Sequence, residues 1–443
     1  MEQKKQVVET NADAGLSKSV GLFEAMAIVI GMVIGSGIFV KPAIVFKNAG
    51  APGMGILAWI LGGIITMASG LTVAEVGAAI PKTGGLVVYL KELYGEKWAF
   101  LLGWVQTIIY IPGSTAALGL FLAAIGTAFV PMSDTQQKIF AIGMMALLMF
   151  INAVSTKFGS KLQAVVTVAK LLPVVILVVF GFAKGTVHDF TPMVGETSTA
   201  AGLGAAILGT LWAYDGWLNV SNMAGEMKNP AKDLPKAIVL GLSLVMVAYV
   251  SVNLAVINVL PMDKIIEAGK SCSAEVANVL FGAGGGKFIT AGIFVSIFGA
   301  LNGWCLTGAR VPLALAQDGL LPFSGFFGKV SNNGTPVNAM IFQFVVASLL
   351  ALTGSADMVS NLVIFIMWIF YLMGIASVFI LRSKHPNLAR PYSVPLYPIT
   401  PIIGLVGGLY IVISTIMTDT MNSLYGLAIA VIGLPVYYMI KKK

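Results

Sequence analysis

The sequence predicts an all-α membrane protein of twelve transmembrane helices, and three observations predict it. Apolar runs long enough to cross roughly 30 Å of hydrocarbon recur from end to end of the 443 residues. Only 10% of residues are charged, against about 25% in soluble domains, and mean hydropathy is +0.90. Two runs, the first and the sixth, are interrupted near their middles. Paired interrupted segments are the sequence pointer to an inverted-repeat transporter whose site lies where the repeats meet. The expected architecture is therefore a five-plus-five inverted repeat with discontinuous helices 1 and 6, plus two C-terminal helices.

Composition also excludes several classes. The net charge of +8 does not point to nucleic acid, because the basic residues lie in short loops between apolar runs. Two cysteines, Cys272 and Cys305, are too few for a disulfide framework. No metal cluster, Ser/His pair or haem-type histidine pair falls within the runs, so neither a cofactor nor an enzymatic activity is expected. No ring-forming filter repeat argues for a channel.

The runs lie at about 22–46, 54–80, 98–130, 138–154, 163–184, 201–225, 236–260, 287–312, 337–354, 358–381, 401–417 and 425–440. They group into a tail (1–21), a first repeat (22–185), a second repeat (198–385), helices 11 and 12 (399–440) and a terminal 441–443. With the N-terminus inside, nineteen of the 27 basic residues fall in cytoplasmic segments and seven outside, Lys41, Lys47 and Lys270 among the seven. This satisfies the positive-inside rule and places both termini in the cytoplasm. Asn333-Gly334-Thr335 matches a glycosylation sequon but falls in a cytoplasmic loop.

Run one contains Gly31-Met32-Val33-Ile34-Gly35-Ser36-Gly37. Gly31 and Gly35 also fit a small-xxx-small packing face. With Ser36-Gly37 following, the stretch reads as a helix broken at membrane depth. Amides left without acceptors in hydrocarbon cost several kcal/mol each. An anionic ligand group relieves that cost, so the break is expected to hold the carboxylate of a small solute.

Between runs two and three, Gly84 to Lys97 reads as a short interfacial helix, and Ala314 to Lys329 reads similarly. Glu75, near the cytoplasmic end of run two, is expected to be structural. In run five, Lys170 lies some seven residues inside, roughly 10 Å deep at 1.5 Å per residue. That is too deep for easy snorkelling, so it needs a partner or a cavity. Run six holds Trp212-Ala213-Tyr214-Asp215-Gly216-Trp217, interrupted at Asp215-Gly216.

After run six, Glu226 to Lys236 is a polar turn in which Pro230 and Pro235 stop one helix and start the next. Glu226 and Lys228 read either as a cytoplasmic ion-pair latch or as a solvated turn. Tyr249 and Asn253, one turn apart on run seven, line the path or bond within the core. Asn302 on run eight carries the same two readings. Gly284-Gly285-Gly286-Lys287 lacks the spacing and hydroxyl of a phosphate loop and reads as a loop entering run eight.

Five ordered motifs then carry a resemblance. They are Ile34-Gly35-Ser36-Gly37-Ile38-Phe39, Pro81-Lys82-Thr83-Gly84-Gly85, Val168-Ala169-Lys170-Leu171, Ala213-Tyr214-Asp215-Gly216-Trp217 and Gly225-Glu226-Met227-Lys228-Asn229-Pro230. Tyr392-Ser393-Val394-Pro395-Leu396-Tyr397-Pro398 extends the likeness towards the C-terminus. The chain resembles the amino acid–polyamine–organocation superfamily, within it the L-amino acid transporter branch and its bacterial serine/threonine and alanine–serine–cysteine exchangers.

The resemblance implies sodium-independent exchange of small neutral L-amino acids by alternating access, in the bilayer of a bacterial cell membrane. By motif position, the substrate carboxylate would meet the amides around Gly35, Ser36 and Gly37. The α-amino group would meet carbonyls around Val33, Trp212 and Asp215. Trp212 would be an aromatic lid, or gate, and Lys170 would stand in for a coupling cation, donating to carbonyls of helix one and to hydroxyls of helix eight, with Ser296 the candidate. If Lys170 loses its proton in the cycle, the alternative is a proton-coupled uniporter or symporter. The loop Val130–Thr135 lacks the cysteine by which human members join a glycoprotein heavy chain, so no disulfide-linked heavy chain is expected. Asp215 departs from the glycine frequent in human members, with its side chain facing the site, a vestibule or a packing neighbour.

Overall fold

The computed structural model describes residues 20–82, 84–154, 156–331 and 335–441. Expectations placed on residues 1–19, Thr83, Asn333 and the last two lysines lie outside the described residues, as does the side chain of Glu226.

Helical segments answer to all twelve runs. The first, α1, is in pieces: Leu22–Val33, then Gly37–Val40, continued by Pro42–Ala49. Next come α2 (Pro52–Ala79) and α3, which runs as Glu96–Val105, a π-helical turn Gln106–Tyr110, and Ile111–Gly126. Then follow α4 (Asp134–Val154) and α5, split into Thr156–Ala169 and Leu171–Lys184 with Lys170 at the joint. The sixth, α6, is Ala200–Tyr214 followed by a 3₁₀ segment Trp217–Glu226. The remainder are α7 (Pro230–Val259), α8 (Cys272–Thr307), α9 (Val337–Thr353), α10 (Ala356–Lys384), α11 (Ile399–Thr418) and α12 (Thr420–Lys441). Among the described residues, ten stretches are long and apolar enough to cross a membrane. The other two are α9, at 17 residues, and α6, whose regular part is 15 residues long.

Local chemistry explains the boundaries. Pro52 and Pro230 open α2 and α7, where a missing amide is harmless. Thr199 and Ser355 cap α6 and α10 by accepting from the amides of Gly202 and Met358. Within α2, Thr66, Ser69 and Thr72 return their hydroxyls to carbonyls one turn back, which keeps polar groups satisfied in an apolar span.

The helices pack in two groups. Helices α1, α2, α6 and α7 pack on one another, while α3, α4, α5, α8 and α9 form a second set. Helix α10 lies against both α2 and α3, and α11 covers α2 and α6. Apolar side chains face outwards on α4, α5 and α12, among them Phe150, Val175 and Ile432, as a lipid-facing surface requires.

Several boundaries differ from expectation. The glycine run before Lys287 is helical, because the non-helical residue is Gly282 (φ 71°), four residues after Asn278, and α8 continues through it. Pro235 lies inside α7 rather than at its start, and Pro230 alone opens the helix. The interfacial helix is Gly85–Tyr94, with Leu86, Tyr89, Leu90 and Leu93 turned inwards. The second such stretch is two short helices, Arg310–Gln317 and Ser324–Phe327. Lys228 joins the N-terminal segment through its backbone amide, which donates to Val20 O at 2.9 Å.

Glu75 is fully buried and structural. Arg382 grips it with two hydrogen bonds of 2.8 and 2.7 Å, and the Val394 amide donates to it at 2.7 Å. This ties α2, α10 and the segment before α11 together. Tyr392, in that segment, has its phenol pushed up to about 12 by burial and the nearby Glu75 charge.

Candidate transport site

The breaks in α1 and α6 meet. At Ile34 the backbone turns extended (ψ 99°), ending the first piece of α1. The amides of Gly35, Ser36 and Gly37 then find no backbone acceptor among the described residues. In α6 the chain turns extended at Asp215 (ψ 157°) and left-handed at Gly216 (φ 102°). Gly216 suits that φ, and a Cβ there would stand 3.3 Å from Met32 O, so the backbone of α6 lies close against α1. Gly37 is equally constrained, since a Cβ would fall 2.4 Å from the Ala213 Cα. Its lack of a side chain is thus needed for contact between the two breaks, beyond any access to amides.

A small cavity of ≈ 30 Å³ lies at this junction, and Val33, Gly35, Ser36, Gly37, Trp212 and Asp215 all line it. Leu118 from α3 and Ala300 and Trp304 from α8 complete its wall. Trp212 donates its indole N–H to the Ser36 hydroxyl at 3.1 Å and packs against Phe121, ring centroids 5.9 Å apart. Trp212, the expected lid, is therefore fastened to the α1 break. The Trp212 carbonyl receives only a long bond, 3.4 Å from the Asp215 amide, and retains acceptor capacity.

Asp215 closes the opposite wall. Its carboxylate accepts from Tyr110 at 2.6 Å and from Tyr371 at 2.9 Å. Tyr110 sits on the π-turn of α3 and packs edge-on against Trp304 at 5.1 Å. Tyr110 and Tyr371 also line a second hollow of ≈ 10 Å³ with Leu86 of the interfacial helix. Asp215 itself lines the first cavity and reaches the second hollow only through its two tyrosine partners. Sequence reasoning missed both tyrosines. The signal available was that a carboxylate at membrane depth needs donors, but nothing in the spacing named which.

Tyr249 is fully buried, and its hydroxyl stands 2.9 Å from Val33 O and 2.9 Å from Ala213 O. It clamps the two breaks without lining the cavity. Asn253 bonds back to Tyr249 O at 2.9 Å and takes the core reading. Asn302 does likewise: it donates to Gln163 Oε1 and Gly159 O of α5 and accepts from Asn152 of α4, away from the cavity.

Lys170 is buried at the joint of α5 and donates to Gly31 O of α1. The expected second contact does not form. Ser296 is buried with its hydroxyl unpartnered among the described residues, because the ammonium is turned towards α1 instead of α8.

Comparison with known proteins follows the same lines. Residues 20–437 match the family described as amino acid permease. The serine/threonine exchanger SteT of Bacillus subtilis (strain 168) is 44% identical over 432 residues, covering 97% of this chain and 98% of that protein. The b(0,+)-type amino acid transporter 1 of Mus musculus is 31% identical over 434 residues, 96% of this chain and 88% of its own. The large neutral amino acids transporter small subunit 2 of Homo sapiens is 30% identical over 437 residues, 96% and 80% of the two chains. Together with the twelve helical segments and the paired breaks, these matches establish that the chain belongs to the amino acid permease family, whose members are integral membrane transporters.

Proposed function

We propose that this amino acid transporter exchanges small neutral L-amino acids, independently of sodium, at the junction of α1 and α6. The observation that carries the reading is the set of amides at Gly35, Ser36 and Gly37 with no backbone acceptor among the described residues, in residues that line a cavity also lined by Trp212, whose carbonyl receives only a 3.4 Å bond. Amides suit a carboxylate and unwound carbonyls suit an ammonium, so the two ends of a zwitterion meet opposite backbone polarity. The Ser36 hydroxyl, which accepts from Trp212, keeps its own proton for the carboxylate. Leu118, Ala300 and Trp304 leave little room for a side chain, and the Asp215 carboxylate is engaged by Tyr110 and Tyr371, which favours small neutral substrates.

In the alternating-access cycle of this reading, α1 and α6 move against α3, α8 and α10. Release on the side of the interfacial helix requires Asp215 to part from Tyr110 and Tyr371. Entry from the other side requires Trp212 to leave Ser36. The Lys170 ammonium on Gly31 O supplies a fixed positive charge beside the α1 break, the role a bound cation would otherwise play. The halves 22–185 and 198–385 form the two repeats in this reading, both termini are cytoplasmic, and no disulfide-linked heavy chain is needed.

Purified protein in liposomes tests it. Labelled serine or alanine should enter only when amino acid is trapped inside, with or without sodium. Equal uptake into empty vesicles contradicts exchange. One observation supports a second reading: Lys170 is buried with no carboxylate partner among the described residues. Uptake driven by an imposed pH gradient would favour that proton-coupled mechanism.

A further inference from the structure

We propose that Lys41 and Asp357 form a latch that closes the Trp212 side of the transport path and positions the Trp212 lid through Phe121. The inference rests on the alternating-access reading above.

Lys41 follows the second piece of α1, and its side chain is 1% exposed. Its ammonium donates to Asp357 Oδ1 at 2.9 Å and to Ser360 Oγ at 2.9 Å, residues one turn apart at the start of α10. Lys270, between α7 and α8, approaches the other carboxylate oxygen at 3.4 Å. Both ammonium groups lie over the Phe121 ring, 5.3 and 5.8 Å from its centroid. Phe121 in turn packs on Trp212, whose indole is bonded to Ser36. An unbroken series of contacts therefore runs from a half-exposed carboxylate to the α1 break.

The placement on separate helices gives the series its function in the proposed cycle, where α1 moves against α3 and α10. Lys41 belongs to α1, whereas Asp357 belongs to α10 and Phe121 to α3. Rocking these helices apart on this side must part Lys41 from Asp357. A buried ammonium stripped of its carboxylate is strongly unfavourable until water reaches it, so the pair favours the closed arrangement. Closed and open are then two discrete arrangements with a named contact that biases their equilibrium. While closed, the two cations hold the Phe121 ring, and the ring holds Trp212 over the cavity.

The test uses the full chain with Cys272 and Cys305 replaced by Ala and Leu118→Cys as a cavity reporter. A membrane-impermeant maleimide is added to the face that carries Lys270. Asp357→Asn should speed labelling about tenfold by shifting population to the open arrangement, and Asp357→Glu should return it to the parent rate. Phe121→Leu keeps the ion pair but cuts its link to Trp212, and it too should label faster. A folded Asp357→Asn protein that labels at the parent rate overturns the latch; if that variant does not fold, an unchanged rate in Phe121→Leu overturns it. Serine exchange by the parent chain is measured separately, so its absence counts against the functional reading while labelling judges the latch.

Discussion

The indole nitrogen of Trp212 lies 3.1 Å from the Ser36 hydroxyl, joining the residue over the cavity to the break beneath it. In the proposed exchange reading, Trp212 as lid and Ser36 in the cradle form one unit, and the lid cannot open without surrendering that bond. Replacing Trp212 by Phe keeps the ring on Phe121 and removes the donor. Loss of one such bond is worth about 0.5–1.5 kcal/mol, so the KM for serine should rise about two- to tenfold. Kinetics of exchange in liposomes measure it, and an unchanged KM would separate the lid from the site.

Tyr249 offers a prediction about stability. Its hydroxyl lies 2.9 Å from both Val33 O and Ala213 O and has one proton to share between them, which Tyr249→Phe removes. A cost of about 1–3 kcal/mol is expected. The variant should unfold at lower temperature and exchange more slowly, read by thermal unfolding in detergent beside transport. A variant as stable as the parent would mean that the breaks hold without the clamp.

Asp215→Asn addresses the opposite wall. Tyr110 and Tyr371 both donate to the carboxylate, and an amide presents one acceptor with two donors. At least one tyrosine loses its acceptor. The side towards the interfacial helix should then close poorly, raising uptake into vesicles that contain no exchange partner. Coupling as tight as that of the parent would show that the wall stands on packing alone.

Lys170→Ala should cut exchange at least about tenfold while leaving the chain folded, because a buried ammonium to the Gly31 carbonyl is a charge-assisted bond worth about 1.5–3 kcal/mol. Monodispersity and exchange rate report the two halves of that statement. Full-rate transport by a folded variant would remove the role assigned to Lys170.

The gross architecture and the two breaks were legible because both are written in local chemistry. Apolar length marks a span, and Gly35-Ser36-Gly37 and Asp215-Gly216 cannot continue a helix as leucine would. Lys170 was legible for its depth. Partners across helices were not. Nothing in the spacing tells which tyrosine on α3 or α10 reaches Asp215, or that Lys170 turns to Gly31 and leaves Ser296 alone. Sequence position places Lys41 among the outside basic residues, yet it is buried on Asp357, a partner 316 positions away that no local pattern reveals. The same distance hid the amide ladder of Asn152, Asn302 and Gln163, which absorbs Asn302 into packing.

The most direct measurement is competition against labelled serine uptake by three compounds: L-serine, an analogue lacking the carboxylate, and an analogue lacking the amine. If unsatisfied amides on one segment and carbonyls on the other grip the two ends of the solute, only L-serine competes well. Competition by the carboxylate-free compound equal to that of serine would contradict the account.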